Sequence, residues 1–268
     1  VTQRISEIKQ PMGGYLPLSK MNITEISDNR KLDDNENLHP STIGMVVDYL
    51  SRFMSGTPVK DAFSISLKGA KVAEKFGVSD ARAKAFVLLR HIKGVDDDSI
   101  ICACKLVTYD VWIRNTRYAM DALGEADTEP DKNTISNIRV MVERSVAFFE
   151  EYGPVKVDGF TFETAGYTDV VDSGDGDFLT QDTLWDFKVL SKNPSPKYTL
   201  QTIMYWIMGQ HSGKDIFKGI SRVGIFNPRL NVVYTIDVTD IGNDVIKQIE
   251  DNVICLSLIH ISEPTRLR

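Results

Sequence analysis

The stretch Leu184-Trp185-Asp186-Phe187-Lys188-Val189 decides how this chain is read. A strand has a side-chain period of two, so Asp186 and Lys188 share one face while Trp185, Phe187 and Val189 line the other. Downstream, Pro194 and Pro196 exclude a continuing strand, and the run from Lys197 to Gln210 is apolar all round at helical length, which predicts a buried helix. Gln201 and Tyr205 lie four apart and therefore on one face of that helix. Upstream, Gly166-Tyr-Thr-Asp169-Val-Val is a β-branched segment flanked by Gly166 and Gly174, expected to be the hairpin partner of the Asp186 strand. Two carboxylates, a lysine, a glutamine and a tyrosine thus fall on a strand, strand, helix pattern, which in outline is a metal-and-phosphate site.

The three segments, in this order, resemble the PD-(D/E)XK nuclease superfamily and, within it, the branch named after the RecB nuclease domain. There a Gly-x-x-Asp strand, an Asp-x-Lys strand and a Gln-x-x-x-Tyr helix follow one another, as Gly166 to Asp169, Asp186 to Lys188 and Gln201 to Tyr205 do here. Each motif alone is weak, since an Asp and a Lys two apart on a strand are more often a solvated edge and Tyr205 could be a core aromatic with a satisfied hydroxyl. The ordered triple carries the resemblance, which covers roughly Thr134 to Asp240.

The resemblance implies an α/β (α+β) fold with a restriction-endonuclease-like αβββαβ core around a mixed central sheet. It also implies DNA as the partner and Mg2+ or Mn2+ as the cofactor. Asp169, Asp186 and the backbone carbonyl of Phe187 would be metal ligands, Lys188 would orient the attacking water, and Gln201 and Tyr205 would position the lysine or the nucleic-acid backbone. Hard divalent cations held by carboxylates suit phosphodiester hydrolysis because they activate water and meet the negative transition state. The family pattern usually adds an acidic residue or histidine on the preceding helix. The stripe Ile135, Ile138, Val142, Val146 and Phe149 predicts such a helix from Thr134 to Tyr152, and Glu143 at its border is the candidate ligand, with a solvated helix face as the alternative.

The rest of the chain is divided by composition. Residues 1–38 are polar and read as a lead-in, 39–133 as a helical region, 134–255 as the nuclease-like core. The helical stretches are placed at Pro40 to Met54, Val59 to Phe76, Ser79 to His91 and Asp97 to Leu123, with Gly124 to Asn133 as the linker. The middle stretch has a basic bias in Lys60, Lys68, Lys71, Lys75, Arg82, Lys84, Arg90 and Lys93, offset by Asp61, Glu74, Asp80 and Asp96 to Asp98, and reads as a solvated face before phosphate tracking. Leu256 to Arg266 reads as the in-frame translation of a transposase adapter used in sequencing libraries, so 256–268 is set aside from fold reasoning.

Other chemistries are excluded by spacing. Asp172-Ser-Gly-Asp175-Gly-Asp177 lacks the ligand positions of an EF-hand loop and reads as turn chemistry in a hairpin. Ser212-Gly213-Lys214 lacks the remaining phosphate-loop residues. Three cysteines give no disulfide framework or cluster site, and the four histidines are scattered. With no signal peptide and no apolar run long enough to span a bilayer, a cytoplasmic location is the default expectation. A net charge of −6 argues against a broad basic surface but not a local one. The second functional reading is a non-catalytic nucleic-acid-binding or assembly module that keeps the nuclease fold.

Overall fold

The computed structural model describes residues 1–121, 129–163, 168–171 and 173–256. It divides into two compact units, Val1–Ile26 with Tyr152–Arg268, and Ser27–Glu151. In chain order the first unit opens with α1 (Thr2–Glu7) and β1 (Asn22–Glu25). The second is helical: α2 (Pro40–Met54), α3 (Val59–Ala62), α4 (Ser64–Lys75), α5 (Ala81–His91), α6 (Asp97–Val107), α7 (Val111–Arg114), α8 (Thr116–Asp121) and α9 (Lys132–Tyr152). The first then resumes with β2 (Val157–Glu163), β3 (Ser173–Leu179), β4 (Thr183–Phe187), α10 (Pro196–His211), β5 (Arg222–Asn227), β6 (Val232–Asp237) and α11 (Asn243–Ile249).

The six strands form one mixed sheet in the order β1-β6-β5-β4-β3-β2, with β4 and β5 parallel and every other pair antiparallel. Parallel neighbours need a crossover, and α10 supplies it. Both central strands are buried almost throughout, which explains their near-continuous apolar sequence. Ser195 precedes α10 and Pro196 occupies its first turn, where the missing amide is no loss. Leu200, Ile203, Met204, Ile207 and Met208 of α10 pack with Leu184, Val223, Ile225 and Tyr234 of the sheet into one core.

The amino end belongs to this unit rather than forming a polar lead-in. Ile5, Leu16 and Met21 are buried in the same core, Val1 donates its amino group to the Ser173 carbonyl (2.9 Å), and β1 extends the sheet beyond β6. The sequence hides this because three apolar side chains spaced irregularly among turns have no helix or strand period. The boundaries therefore fall at 26/27 and 151/152 instead of 38/39 and 133/134, while 122–128 and 257–268 lie outside the described residues.

In the helical unit, the continuous helices expected at Val59 to Phe76 and Asp97 to Leu123 are interrupted. The first breaks at Phe63, which is fully buried, and the second turns at Thr108–Asp110 and again at Asn115. The second break delivers Asp110 to the interior, where it accepts hydrogen bonds from Tyr49 Oη and Ser66 Oγ, both at 2.5 Å, with Arg114 Nε at 3.6 Å. Burial pushes the Asp110 carboxyl above the usual carboxylate range against the pull of these partners. Truncating one member of a buried network strands the others, so Asp110→Ala should destabilise the protein by about 3 kcal/mol, measured by urea unfolding.

Candidate active site

The carboxyl end of β4, next to its parallel neighbour β5, carries the candidate site. Chain reversals at the carboxyl ends of strands in open α/β sheets leave a crevice for ligands. Asp186 is the penultimate residue of β4 and is 1 % exposed; Lys188 follows the strand, its amide still donating to the Phe226 carbonyl at 2.9 Å. Lys188 Nζ donates to Asp186 Oδ1 at 2.7 Å. Asp186 Oδ2 is buried and has no hydrogen-bond partner among the described residues.

The second carboxylate comes from β3. The register pairs Phe178 with Trp185, and continuing it sets Asp177 opposite Asp186. Asp177 Oδ2 accepts from the Phe187 amide at 2.6 Å and lies 3.9 Å from Lys188 Nζ. Asp169, expected to be this residue, is not on the strand paired with β4. It is an exposed residue in a bend after Thr168, whereas Lys188 Nζ faces Asp186 Oδ1 and Asp177 Oδ2.

The signal for Asp177 was present in the sequence, since Gly174-Asp175-Gly176-Asp177 has the same Gly-x-x-Asp spacing as Gly166 to Asp169. It was obscured because two glycines and two aspartates in four residues look like a turn. The strand survives because large aromatics lie over the glycines. A Cβ at Gly176 would fall 1.9 Å from Phe160 Cζ, and one at Gly174 would fall 3.0 Å from Tyr205 Cε1 and 3.3 Å from Phe162 Cδ2. Phe160 is itself held edge-on by Phe162, Tyr205 and Phe217, so it cannot step aside. Gly176→Ala should therefore destabilise the fold by about 1–3 kcal/mol, measured by chemical denaturation. Gly174 lets Tyr205 approach β3.

Helix α10 presents the remaining predicted pair. Gln201 Nε2 donates to Tyr205 Oη at 2.9 Å, and the Tyr205 ring stacks on Phe162 with centroids 5.7 Å apart. Lys188 Nζ also lies 5.9 Å from the centroid of the Tyr198 ring on the same helix, a contact that sequence spacing does not announce. A further unforeseen member is Asn227, fully buried at the end of β5. It exchanges hydrogen bonds with the backbone of Leu190 (2.9 and 3.2 Å) and so fixes the segment leaving Lys188.

The electrostatics follow from this burial. Loss of water pushes the Asp186 carboxyl up, to about 7, against the opposing pull of Lys188 and with the help of Asp177. Burial alone would lower the Lys188 ammonium, but Asp186 and Asp177 outweigh it and hold the group above the ordinary lysine range. Burial, then the charge of Asp186, raises the Tyr205 hydroxyl above the phenol range. At neutral pH Lys188 is a cation and Tyr205 a neutral donor and acceptor.

Glu143 stands on α9 in the helical unit, where it is partly exposed and ion-paired with Arg30. Among the described residues no group of three or more His, Cys, Asp or Glu side chains is placed to hold a metal ion. The donor set at the β4 end nevertheless suits magnesium, which is commonly held by one or two carboxylates and keeps several waters. A buried carboxylate oxygen without a partner, beside a second carboxylate, is the arrangement a hard cation relieves.

A scan against protein-family models, a search of curated proteins and a search of solved structures each returned no match for this chain. No helix among the described residues is long and apolar enough to cross a membrane.

Proposed function

We propose that this chain is a metal-dependent deoxyribonuclease of the PD-(D/E)XK type, hydrolysing phosphodiester bonds at the carboxyl end of β4. The observation that carries the reading is Asp186, buried with one oxygen on Lys188 and the other unpartnered, directly beside Asp177. Asp177 and Asp186 would hold the cation, with the Phe187 carbonyl as the family's third donor. A divalent ion there supplies the positive charge that meets a phosphate and acidifies water.

The protein's own groups have separable roles. Lys188 offers a proton-donating cation to a phosphoryl oxygen and a hydrogen bond that orients the attacking water, since Asp186 occupies only one of its three donor positions. Gln201 and Tyr205 would position Lys188 or the nucleic-acid backbone. Asn227 fixes the backbone at Leu190, beyond Lys188, and the Tyr198 ring lies 5.9 Å from the ammonium. The order β2, β3, β4, α10, β5 after α9 supports this reading, as it follows the αβββαβ core of that superfamily.

That no third acidic group joins Asp177 and Asp186 among the described residues favours a second reading, a nucleic-acid-binding module that keeps the fold without the chemistry. The two separate in one experiment. Purified protein is incubated with linear and circular, single- and double-stranded DNA in magnesium, manganese or chelator. Cleavage that needs the metal supports the nuclease; binding without cleavage by a folded protein supports the module. Comparing linear with circular substrates then distinguishes exonuclease from endonuclease action.

A further inference from the structure

Charge is unevenly distributed along this acidic chain. Between residues 64 and 93 there are seven Lys or Arg against Glu74 and Asp80, a surplus of five positive charges in a chain whose net charge is −6. This segment holds α4 and α5, which pack against each other and are joined by a short turn in which Gly77 adopts φ +94°.

On α4 the residues Ser66, Gly69, Ala70 and Ala73 are buried. Lys68, Lys71 and Lys75, spaced by three and four, occupy the opposite, exposed face. They span about 10 Å of helix axis, comparable to about three phosphate steps of one DNA strand. None of the three has a hydrogen-bond or ion-pair partner for its side chain among the described residues. Among nearby acids Glu74 is engaged with Arg82, Asp97 with Arg139, and Asp96 with the Ser99 amide and hydroxyl, while Asp80 is exposed between the two helices. A solvated face that merely kept the protein soluble would carry both signs interspersed. On α5 the exposed side includes Arg90 with Phe86 and Val87, which are 45 % and 55 % exposed and give the basic surface an apolar component.

We infer that the exposed face of α4, extended by α5, binds the phosphodiester backbone of DNA without reading its sequence. The inference rests on the nuclease reading only for its choice of polyanion. An array of unpaired lysines at helical spacing offers point charges to phosphates and has no planar fork for base edges. Binding by such a face releases counterions and weakens steeply with salt.

The test is fluorescence anisotropy of the full chain with labelled duplex and single-stranded oligonucleotides in chelator, across a salt series. Lys68→Glu/Lys71→Glu/Lys75→Glu is compared with Lys20→Glu/Lys31→Glu/Lys247→Glu, which makes the same charge change elsewhere, after circular dichroism shows both folded. The α4 variant should bind at least about tenfold more weakly than the control variant, with the slope of log K against log salt reduced by up to about 3. The uncharged Lys→Gln triple should fall between wild type and the Glu triple. Equal binding by the two Glu variants, or no DNA binding by wild type, overturns the inference; the latter leaves an acidic protein as the partner. Because binding is read in chelator, the outcome does not depend on whether the protein cleaves, which separates this inference from the nuclease reading.

Discussion

Lys188→Ala is expected to reduce metal-dependent DNA cleavage by about 10²–10³-fold, the usual loss when one preorganised donor to a developing charge is removed. The fold should survive. Removing the ammonium leaves Asp186 buried without its cation, but that carboxyl is already pushed up toward neutrality and takes a proton instead of standing as an unpaired charge. About a fifth of the Lys188 side chain is exposed, so its loss opens a space that water can enter. The loss should appear in kcat rather than in DNA binding, since the lysine acts where charge develops. Single-turnover cleavage with circular dichroism of the same preparation reads both. Cleavage at the wild-type rate would remove Lys188 from the chemistry.

The second large effect concerns Asp186→Asn, which should abolish metal-dependent cleavage and yet leave the metal-free protein at least as stable as wild type. The folded pKa of Asp186 is raised by burial above its unfolded value near 4. A group shifted in that direction favours the fold at low pH, and its contribution is lost as pH rises through the folded value near 7. In chelator, wild-type stability should therefore decline between about pH 4 and pH 7 relative to Asp186→Asn, whose amide has nothing to ionise. Lys188 keeps Asp177 as a counter-charge at 3.9 Å in the variant. Adding magnesium should raise the melting temperature of wild type but not of Asp186→Asn. Thermal unfolding across pH, with and without metal, measures this. A metal-free variant much less stable than wild type at pH 8 would mean that the carboxylate is an ion-pair strut of the fold and not a ligand held ready.

How much of this was legible in the sequence depended on whether a residue's neighbours were local. The placement of Asp186 and Lys188 at the end of a strand and of Gln201 and Tyr205 on one helix was legible from strand and helix periods, and the buried character of α10 followed from its uninterrupted apolar run. Asp177 was missed because what makes Ser173–Leu179 a strand is not in that segment. Phe160 and Tyr205 cover its glycines from β2 and from α10, and a low local propensity gives way to that packing. Asn227 and Tyr198 act through contacts 37 and 10 residues away in the chain, which no spacing reveals. The membership of Val1–Ile26 in the sheet unit is a tertiary fact of the same kind.

The account stands most directly on Asp177, the carboxylate that the sheet register brings to Asp186 in place of Asp169. The decisive measurement is magnesium-dependent cleavage of duplex DNA by wild type, Asp177→Asn and Asp169→Asn, each confirmed folded and assayed beside a chelator control. The account predicts cleavage by wild type, loss of at least about 10²-fold in Asp177→Asn, and near-wild-type rates in Asp169→Asn. Cleavage by Asp177→Asn at the wild-type rate, or no metal-dependent cleavage by the folded wild-type protein, would contradict it.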